Sequence, residues 1–391
     1  MTIHARTAFH NQTRSDPHLN TVRTTTEALS AVLGGADSLE TNAYDESFSN
    51  PDRFSRRLAR NIQLILYHEA HLQQPIDPAG GAHFVEKLTR DIAREAWSIF
   101  QAIEKQGGMA ESLKTGSIQK RISKIKARKM ADVFCLKTGI VGSNIYCLQP
   151  EKPDDPGESD TGSPARGGFQ EPVKEQEKST DKTKCRSILS RLSQVPAQDE
   201  PEIVARGAEA FLCGCTLGEI VETLNIRGAP GDSVSPVEIE RFSEPFEGLR
   251  EKMDRHIRET GHRPEIFLLL LDSSSQARSG AELARRILEI AGFGILFSEE
   301  IPDHESLPEG VIPSTVRAVV VCSDDADSEG TLESIGRLKQ RRPESVIALC
   351  GYPEKNRVKL QEMGVDIYLN PRGDAFRILK NLMARLGFIP E

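Results

Sequence analysis

Residues 264–297 read PEIFLLLLDSSSQARSGAELARRILEIAGFGILF, and this stretch decides the architecture. Ile266 to Leu271 is an unbroken apolar run, as expected of a central parallel strand buried on both faces. A polar loop, Asp272 to Gly280, follows it. A helix is read over roughly 279–291, and Gly294–Phe297 reads as the next strand. The rhythm continues towards the C-terminus. Strands are predicted at Glu265–Leu271, Gly294–Phe297, Ala318–Cys322, Ser345–Leu349 and Asp366–Leu369. Helices are predicted over 279–291, 330–341, 354–363 and 373–386, with one short helix expected between Ser298 and Thr315. Five strands with helical crossovers give an α/β, doubly wound parallel sheet of flavodoxin-like type over 261–391, which binds ligands at the carboxyl ends of its strands.

Upstream, 201–260 reads as a helical connector. It has a break at Cys213-Gly214-Cys215, a helix over Thr216–Leu224 and an amphipathic helix over 236–260. Residues 151–200 begin EKPDDPGESDTGSPARGGFQEP and carry one aromatic, Phe169. Such a composition cannot bury enough apolar surface to offset chain entropy, so the stretch reads as a disordered linker. Residues 1–150 form a block of their own. Ile3–Phe9 and Ser38–Asn42 are short strands. Asp16-Pro17 and Asn50-Pro51-Asp52 start helices with a capping acid and a proline that has no N–H to waste. Phe54, Leu58, Ile62, Ile65 and Leu66 mark one buried face. A long helix after Asp77–Gly81 points Val85, Leu88, Ile92, Ile99 and Ile103 inward. Gly107-Gly108 breaks it, and Ile118, Ile122 and Ile125 stripe a basic helix ending near Ala131.

The whole chain has 391 residues, room for two or three domains at ~100–200 residues each. A net charge of −8 argues against a general nucleic-acid or anionic-membrane binder. Apolar residues are 38%, in keeping with a segment that forms no core. The longest apolar run is far short of the ~20 residues that span a bilayer, and the N-terminus lacks a signal-peptide apolar stretch. Seven cysteines without metal-ligand spacing suit a reducing cytoplasm rather than a disulfide scaffold.

Several motifs carry competing readings. The loop Asp272–Gly280 is either a polar cradle for an anion or an ordinary Ser-rich strand-to-helix turn; it lacks P-loop and G-x-G-x-x-G spacing. Asp272 and Asp324-Asp325 suggest a receiver domain, but Asn370-Pro371 stands where its lysine belongs. His68 and His71 are three apart at a helix end, whereas a zinc helix needs four. Cys213 and Cys215 have no partner pair nearby. The run Lys114, Lys120, Arg121, Lys124, Lys126, Arg128 and Lys129 suits phosphates or, with its apolar stripe, a solvated helix face.

The stretches TVRTTTEALSAVLGGADSLETNAYDESF (21–48), RRLARNIQLIL (56–66), DPAGGAHFVEKLT (77–89) and AREAWSIFQAIEKQGGM (93–109) together resemble the methylmalonyl-CoA mutase family. The likeness runs from about Ile3 to Met130. It implies that 1–150 is the last part of a (β/α)8 barrel with its following helices. SEPFEGLREKMDRHIRETGHRPEIFLL (243–269) and CGYPEKNRVKLQEMGVDIYLN (350–370) resemble the family's cobalamin-binding domain, nearest to the small, non-catalytic subunit of heterodimeric enzymes. The family interconverts succinyl-CoA and methylmalonyl-CoA by radical chemistry that adenosylcobalamin supplies. A histidine in the pattern D-x-H-x-x-G holds its cobalt.

The departures shape the expectation. Asp272 matches the pattern, Ser274 stands for the histidine, and Ala277 stands for the glycine. Ser323-Asp324-Asp325 puts acids where the family has a small turn, and Gly351-Tyr352 keeps one glycine and replaces another. These positions, Asp272, Ser274, Ala277, Ser323 and Gly351, are the degenerate remains of the cofactor motif, so this chain is expected not to hold adenosylcobalamin. In the barrel part, Ala5 and Thr7 stand at the His and Gln of H-x-Q-T. Gly35, Asp37 and Glu40 replace His, Gln and His of a second motif. Arg23, Thr24, Arg60, Asn61, Asp77, Pro78, Gly80, Gly81 and Trp97 persist. No catalytic or metal-binding residue is therefore expected. The resemblance places Met1 inside the barrel, implying an N-terminally shortened chain with about two barrel strands. The expected partner is the large catalytic subunit or a chain supplying the other strands, with no nucleic acid and no membrane. The alternatives are a flavodoxin-like binding or regulatory module, or a truncated relic.

Overall fold

The computed structural model describes residues 2–149, 182–196, 200–224, 233–272, 274–298, 312–351, 353, 355–370 and 373–390. In chain order the elements are β1 (His4–Arg6), α1 (His18–Leu33), β2 (Ser38–Glu40), α2 (Arg53–His68), α3 (His83–Lys105), α4 (Gly108–Lys114), α5 (Ser117–Phe134), α6 (Lys182–Leu192), α7 (Glu200–Leu212), α8 (Leu217–Thr223), α9 (Glu244–Thr260), β3 (Glu265–Leu270), α10 (Ser275–Ala291), β4 (Gly294–Phe297), β5 (Ala318–Cys322), α11 (Glu329–Arg341), β6 (Val346–Cys350), α12 (Arg357–Glu362), β7 (Val365–Leu369) and α13 (Ala375–Arg385). The fold is α/β with parallel sheets. The chain divides into two units, one of 1–98, 120–161 and 237–391, the other of 99–119 and 162–236.

In the first unit, five parallel strands run in the order β4-β3-β5-β6-β7. Strand alternation sorts their side chains onto two faces. Ile266, Leu268, Leu270, Val320 and Ala348 pack with α9, α10 and α13 through Phe246, Met253, Ala284, Leu288 and Leu379. Phe267, Leu269, Val319, Val321 and Ile347 pack with α11 and α12 through Leu332, Ile335, Leu338 and Leu360. Both faces are covered, so the apolar runs need no polar alternation. Side-chain caps start the crossover helices: Ser274 accepts from the Ala277 N–H at 3.0 Å, Ser328 from Thr331 at 3.2 Å and Asp374 from Arg377 at 2.8 Å. Gly292, with φ of 88°, closes α10 in the left-handed region.

The same unit holds a two-stranded parallel sheet with Ala5 opposite Leu39 and Arg6 opposite Glu40. Helices α1 and α2 cover it through Ala28, Ile62 and Leu66. The segment after β1 is tied to α9 and its approach. Phe242 N–H donates to the His10 carbonyl at 2.8 Å, and Ser243 Oγ donates to the Gln12 carbonyl at 3.0 Å. Arg241 and Glu247 form a buried ion pair at 2.6 Å.

The second unit has a small core of Cys185, Ile188 and Leu192 from α6, Ala210 from α7, and Cys215 and Ile220 beside and within α8. Thr216 and Glu219 form a capping box at the start of α8.

Several expectations are corrected. Helix α6 falls within 151–200, the stretch that composition assigns to a linker; Cys185, Ile188 and Leu192 recur at helical spacing and are buried. Residues 150–181, with Phe169, lie outside the described residues, as do 299–311 of the expected short helix. The helix expected from 236 begins at Glu244, where Pro245 supplies the first turn. Asp16 gives α1 no side-chain cap, whereas Asp52 caps α2 by accepting from Ser55 N–H at 2.7 Å. On α2 the buried stripe is Ser55, Ala59, Ile62 and Leu66, leaving Phe54 and Ile65 exposed. None of α3 is buried: Ile92 is 60% and Trp97 62% exposed, with Val85, Leu88 and Ile99 also outward. Ile122 and Ile125 of α5 are exposed too. Apolar periodicity identifies a face that wants a partner; it does not supply one.

Candidate functional site

The carboxyl ends of β5 and β6 and the first turns of α10 enclose a cavity of about 710 Å³. Its wall from α10 carries Gln276, Ser279, Gly280 and Leu283. The loop after β5 contributes Ser323 to Asp327, and the end of β6 contributes Cys350, Gly351 and, further on, Lys355. Parallel strands all end on this side, and the α10 N-terminus lies beside it, so chain direction alone places the loops together.

The loop after β3 is held by its own polar groups. Asp272 Oδ1 accepts from the Ser274 N–H at 2.9 Å, and Oδ2 accepts from the Asp324 N–H at 2.9 Å. Asp272 thus staples the β3 and β5 loops. The Ser274 hydroxyl is engaged as the α10 cap, and Ala277 is fully buried beneath the first turn. Replacing Ser274 with Ala removes the cap acceptor; urea unfolding should show a loss of about 1 kcal/mol, largely restored by Ser274→Asp. A loss below a few tenths would show that the cap does not hold α10.

The acids of the β5 loop also bind backbone. Asp325 Oδ1 accepts from Asp327 N–H at 2.8 Å. The Asp327 carboxylate accepts from Asn356 N–H at 2.9 Å and Lys355 N–H at 3.2 Å. Ser323 donates to the Asp325 carbonyl at 3.1 Å and accepts from Thr331 at 3.0 Å. Gly351, at φ of 113°, adopts a backbone that other residues rarely reach, and its N–H donates to Leu369 O at 2.8 Å. Of the five sequence-predicted positions, Ser323 and Gly351 line the cavity, and Asp272, Ser274 and Ala277 support its edge. Tyr352, Ser273 and Pro371 lie outside the described residues. Sequence reasoning passed over Cys350, Leu283, Asp327 and Lys355; their position just past strand ends or on the α10 face was the available signal.

In the two-stranded sheet, the positions singled out in the barrel motifs satisfy one another. Arg6 pairs with Glu40 at 3.3 Å and with Glu46 at 2.8 Å. Asp37 accepts from the Ile3 N–H at 2.7 Å, and Thr7 Oγ1 accepts from the Asn42 N–H at 2.8 Å. Ala5 presents only a methyl group, and Gly35 closes α1 at φ of 74°. Burial raises the Glu46 carboxyl above its usual range, and Arg6 offsets part of that effect.

The remaining motifs are not gathered into a site. His71 lies past the end of α2 at φ of 52°. Cys215 packs in the second unit's core, where burial pushes its thiol up to about 12. Lys126 pairs with Glu240 at 2.9 Å, and Lys129 lies over the Phe242 ring. Among the described residues, no group of three or more His, Cys, Asp or Glu is placed to hold a metal, and no helix is long and apolar enough to cross a membrane.

The sequence profile of the family described as "Methylmalonyl-CoA mutase" matches residues 1–228. The chain belongs to the methylmalonyl-CoA mutase family. Similarity over nearly the whole of this chain agrees with that placement in three relatives. The methylmalonyl-CoA mutase of Rhizobium meliloti is 30% identical over 379 residues, covering 94% of this chain and 53% of that protein. The Escherichia coli mutase is 29% identical over 399 residues, covering 98% of this chain and 55% of that protein. The mitochondrial mutase of Mus musculus is 28% identical, covering 94% and 50%. This mutase-family chain therefore spans about half the length of the relatives it matches, and the matches extend through the cavity-bearing sheet.

Proposed function

We propose that the chain is a small-subunit-like, catalytically silent component of a methylmalonyl-CoA mutase. It would support a partner chain that carries adenosylcobalamin and interconverts methylmalonyl-CoA and succinyl-CoA. The observation that carries this reading is Ser274. At the position where the resemblance puts the cobalt-binding histidine, a hydroxyl stands, and it is engaged as a helix cap. Among the described residues that line the cavity, none carries an imidazole. A hydroxyl is a poor substitute for imidazole on cobalt, so these residues do not fit the family's cofactor.

Three further features support the reading. The strand order β4-β3-β5-β6-β7 is that of a doubly wound, flavodoxin-like sheet, as a cobalamin-type domain requires. The polar groups at the barrel-motif positions bind each other, as with Arg6 and Glu40, instead of presenting an acyl-binding set. Strands β1 and β2 pair only with each other among the described residues, and α3 keeps its apolar side exposed; both suit a barrel fragment completed by another chain.

The test is spectroscopic. The purified chain, mixed with adenosylcobalamin, should leave the cofactor's absorption spectrum unchanged and show no mutase turnover. Co-expression with a catalytic mutase chain should yield a stable complex. An imidazole-type spectral shift, or turnover by this chain alone, would sink the proposal. The cavity at the strand ends favours a second reading, a small-ligand binding or regulatory module. Asp324, Asp325 and Asp327 around that cavity set it against anions. Thermal stabilisation by a small cationic or neutral ligand, with no mutase chain captured, would favour this second reading.

A further inference from the structure

Two cysteines meet at the floor of the cavity. Cys322 ends β5 and Cys350 ends β6, one step beyond the registered pair Val321 and Leu349. Neighbouring parallel strands place such residues ~4.8 Å apart at Cα, inside the ~4.4–6.8 Å that a disulfide spans. Both side chains belong to the same core cluster, so they project from the same face of the sheet. The Cys322 and Cys350 sulfurs lie within hydrogen-bonding reach of each other. Cys350 in its thiol form donates to the Gly280 carbonyl at 3.0 Å. A side chain at Gly280 would crowd that sulfur, since a Cβ there would stand 3.2 Å from it.

The two sulfurs are not equivalent. Cys350 lines the cavity, whereas Cys322 is fully buried behind it. The Cys322 thiol and the Gly351 N–H both favour a thiolate on Cys350, which brings it below the usual thiol range. Cys322, beside that sulfur, buried and near Asp272, is held above it.

We propose that Cys350 and Cys322 form an oxidisable dithiol whose oxidant is a low-molecular-weight disulfide entering this cavity. The Cys350 thiolate attacks one sulfur of that disulfide; its S–S bond breaks and the departing thiolate takes up the proton Cys350 gave up. A mixed disulfide on Cys350 results. The Cys322 sulfur then attacks the Cys350 sulfur, the mixed S–S bond breaks, and the second small thiol leaves with the Cys322 proton. The protein dithiol is oxidised by two electrons, and the small disulfide is reduced to two thiols. The reachable sulfur acts first and the buried one resolves, so the order of events follows from burial. The closed bond would tie β5 to β6 and take the Cys350 sulfur out of the cavity lining.

The full-length chain, reduced and then exposed to cystamine, a small cationic disulfide suited to the acidic cavity, should become lighter by two hydrogen atoms. Peptide mapping should join the peptide holding Cys322 to the one holding Cys350. Cys322→Ser should stop at a cysteamine adduct on Cys350, and Cys350→Ser should give neither adduct nor bridge at these two positions. Unmodified protein alone decides the matter if a variant fails to fold. Cys322 and Cys350 remaining alkylatable as free thiols after cystamine treatment, or bridges formed only among other cysteines, would overturn the proposal. So would an adduct that stays on Cys350 in the unmodified chain without being resolved.

Discussion

Glu247→Ala is expected to cost about 3–5 kcal/mol of unfolding free energy, the range for removing one partner of a buried ion pair. The Arg241 and Glu247 side chains are 6% and 7% exposed, and their charged atoms lie 2.6 Å apart. Glu247 also accepts from the Arg14 N–H at 2.6 Å, while Arg241 reaches Ser243 Oγ at 3.2 Å and the Gln12 carbonyl at 3.4 Å. Truncation leaves a guanidinium that cannot deprotonate, buried with only neutral acceptors. It also frees the segment around Gln12 from α9. Urea denaturation followed by circular dichroism measures the loss. Against a typical total of ~5–15 kcal/mol, such a loss moves the midpoint well outside error. Replacing both residues with apolar ones of similar volume should recover much of it, because the desolvation of two charges is then avoided. A loss under about 1 kcal/mol for Glu247→Ala would mean that Arg241 regains water on truncation, as exposed pairs allow.

Phe246→Ala should have a comparable effect, about 3–5 kcal/mol, from lost burial plus the cavity left behind. Phe246 is 1% exposed and sits edge-on to Phe134 of α5 at 6.0 Å and to Phe376 of α13 at 5.6 Å. Phe134 and Phe376 stack on each other at 4.8 Å, so three helices share one aromatic cluster. Edge-on pairs add ~0.5–1.5 kcal/mol each beyond area burial. Phe246→Leu keeps most of the volume and should lose clearly less. Equal losses for the two substitutions would show that ring geometry, and not volume, sets the cost.

Much of the sheet was legible before any coordinates. The strands at Gly294–Phe297 and Ala318–Cys322 fall where the apolar runs put them, β3 and β7 differ by a residue at one end, and β6 is shifted by one residue at both ends. That success has a simple cause: a strand buried on both faces writes its burial into every residue. Ser323 and Gly351 stood out through the family resemblance alone, and strand direction brings both to one edge, where they line the cavity. Among the helices of residues 1–134, α1, α2, α3 and α5 were legible and α4 was not, and α3 was misread as to burial. An amphipathic pattern such as that of α3 states which side is apolar, and the same pattern serves a core face and an exposed one. Helix α6 was hidden by the polar composition around it, although Cys185, Ile188 and Leu192 carry its spacing.

The sequence by itself determined the family, the alternation of strand and helix after Pro264, and the serine at position 274. Each of these is a local or linear property, set by residue type and spacing. Only the tertiary structure decided what that serine does, which acids are spent on backbone N–H groups, and which charges share a buried pocket. Arg241 meets the Gln12 carbonyl across 229 residues, and Cys322 meets Cys350 only because β5 and β6 are neighbours in register. Such encounters depend on chain closure and strand order, which no local spacing encodes.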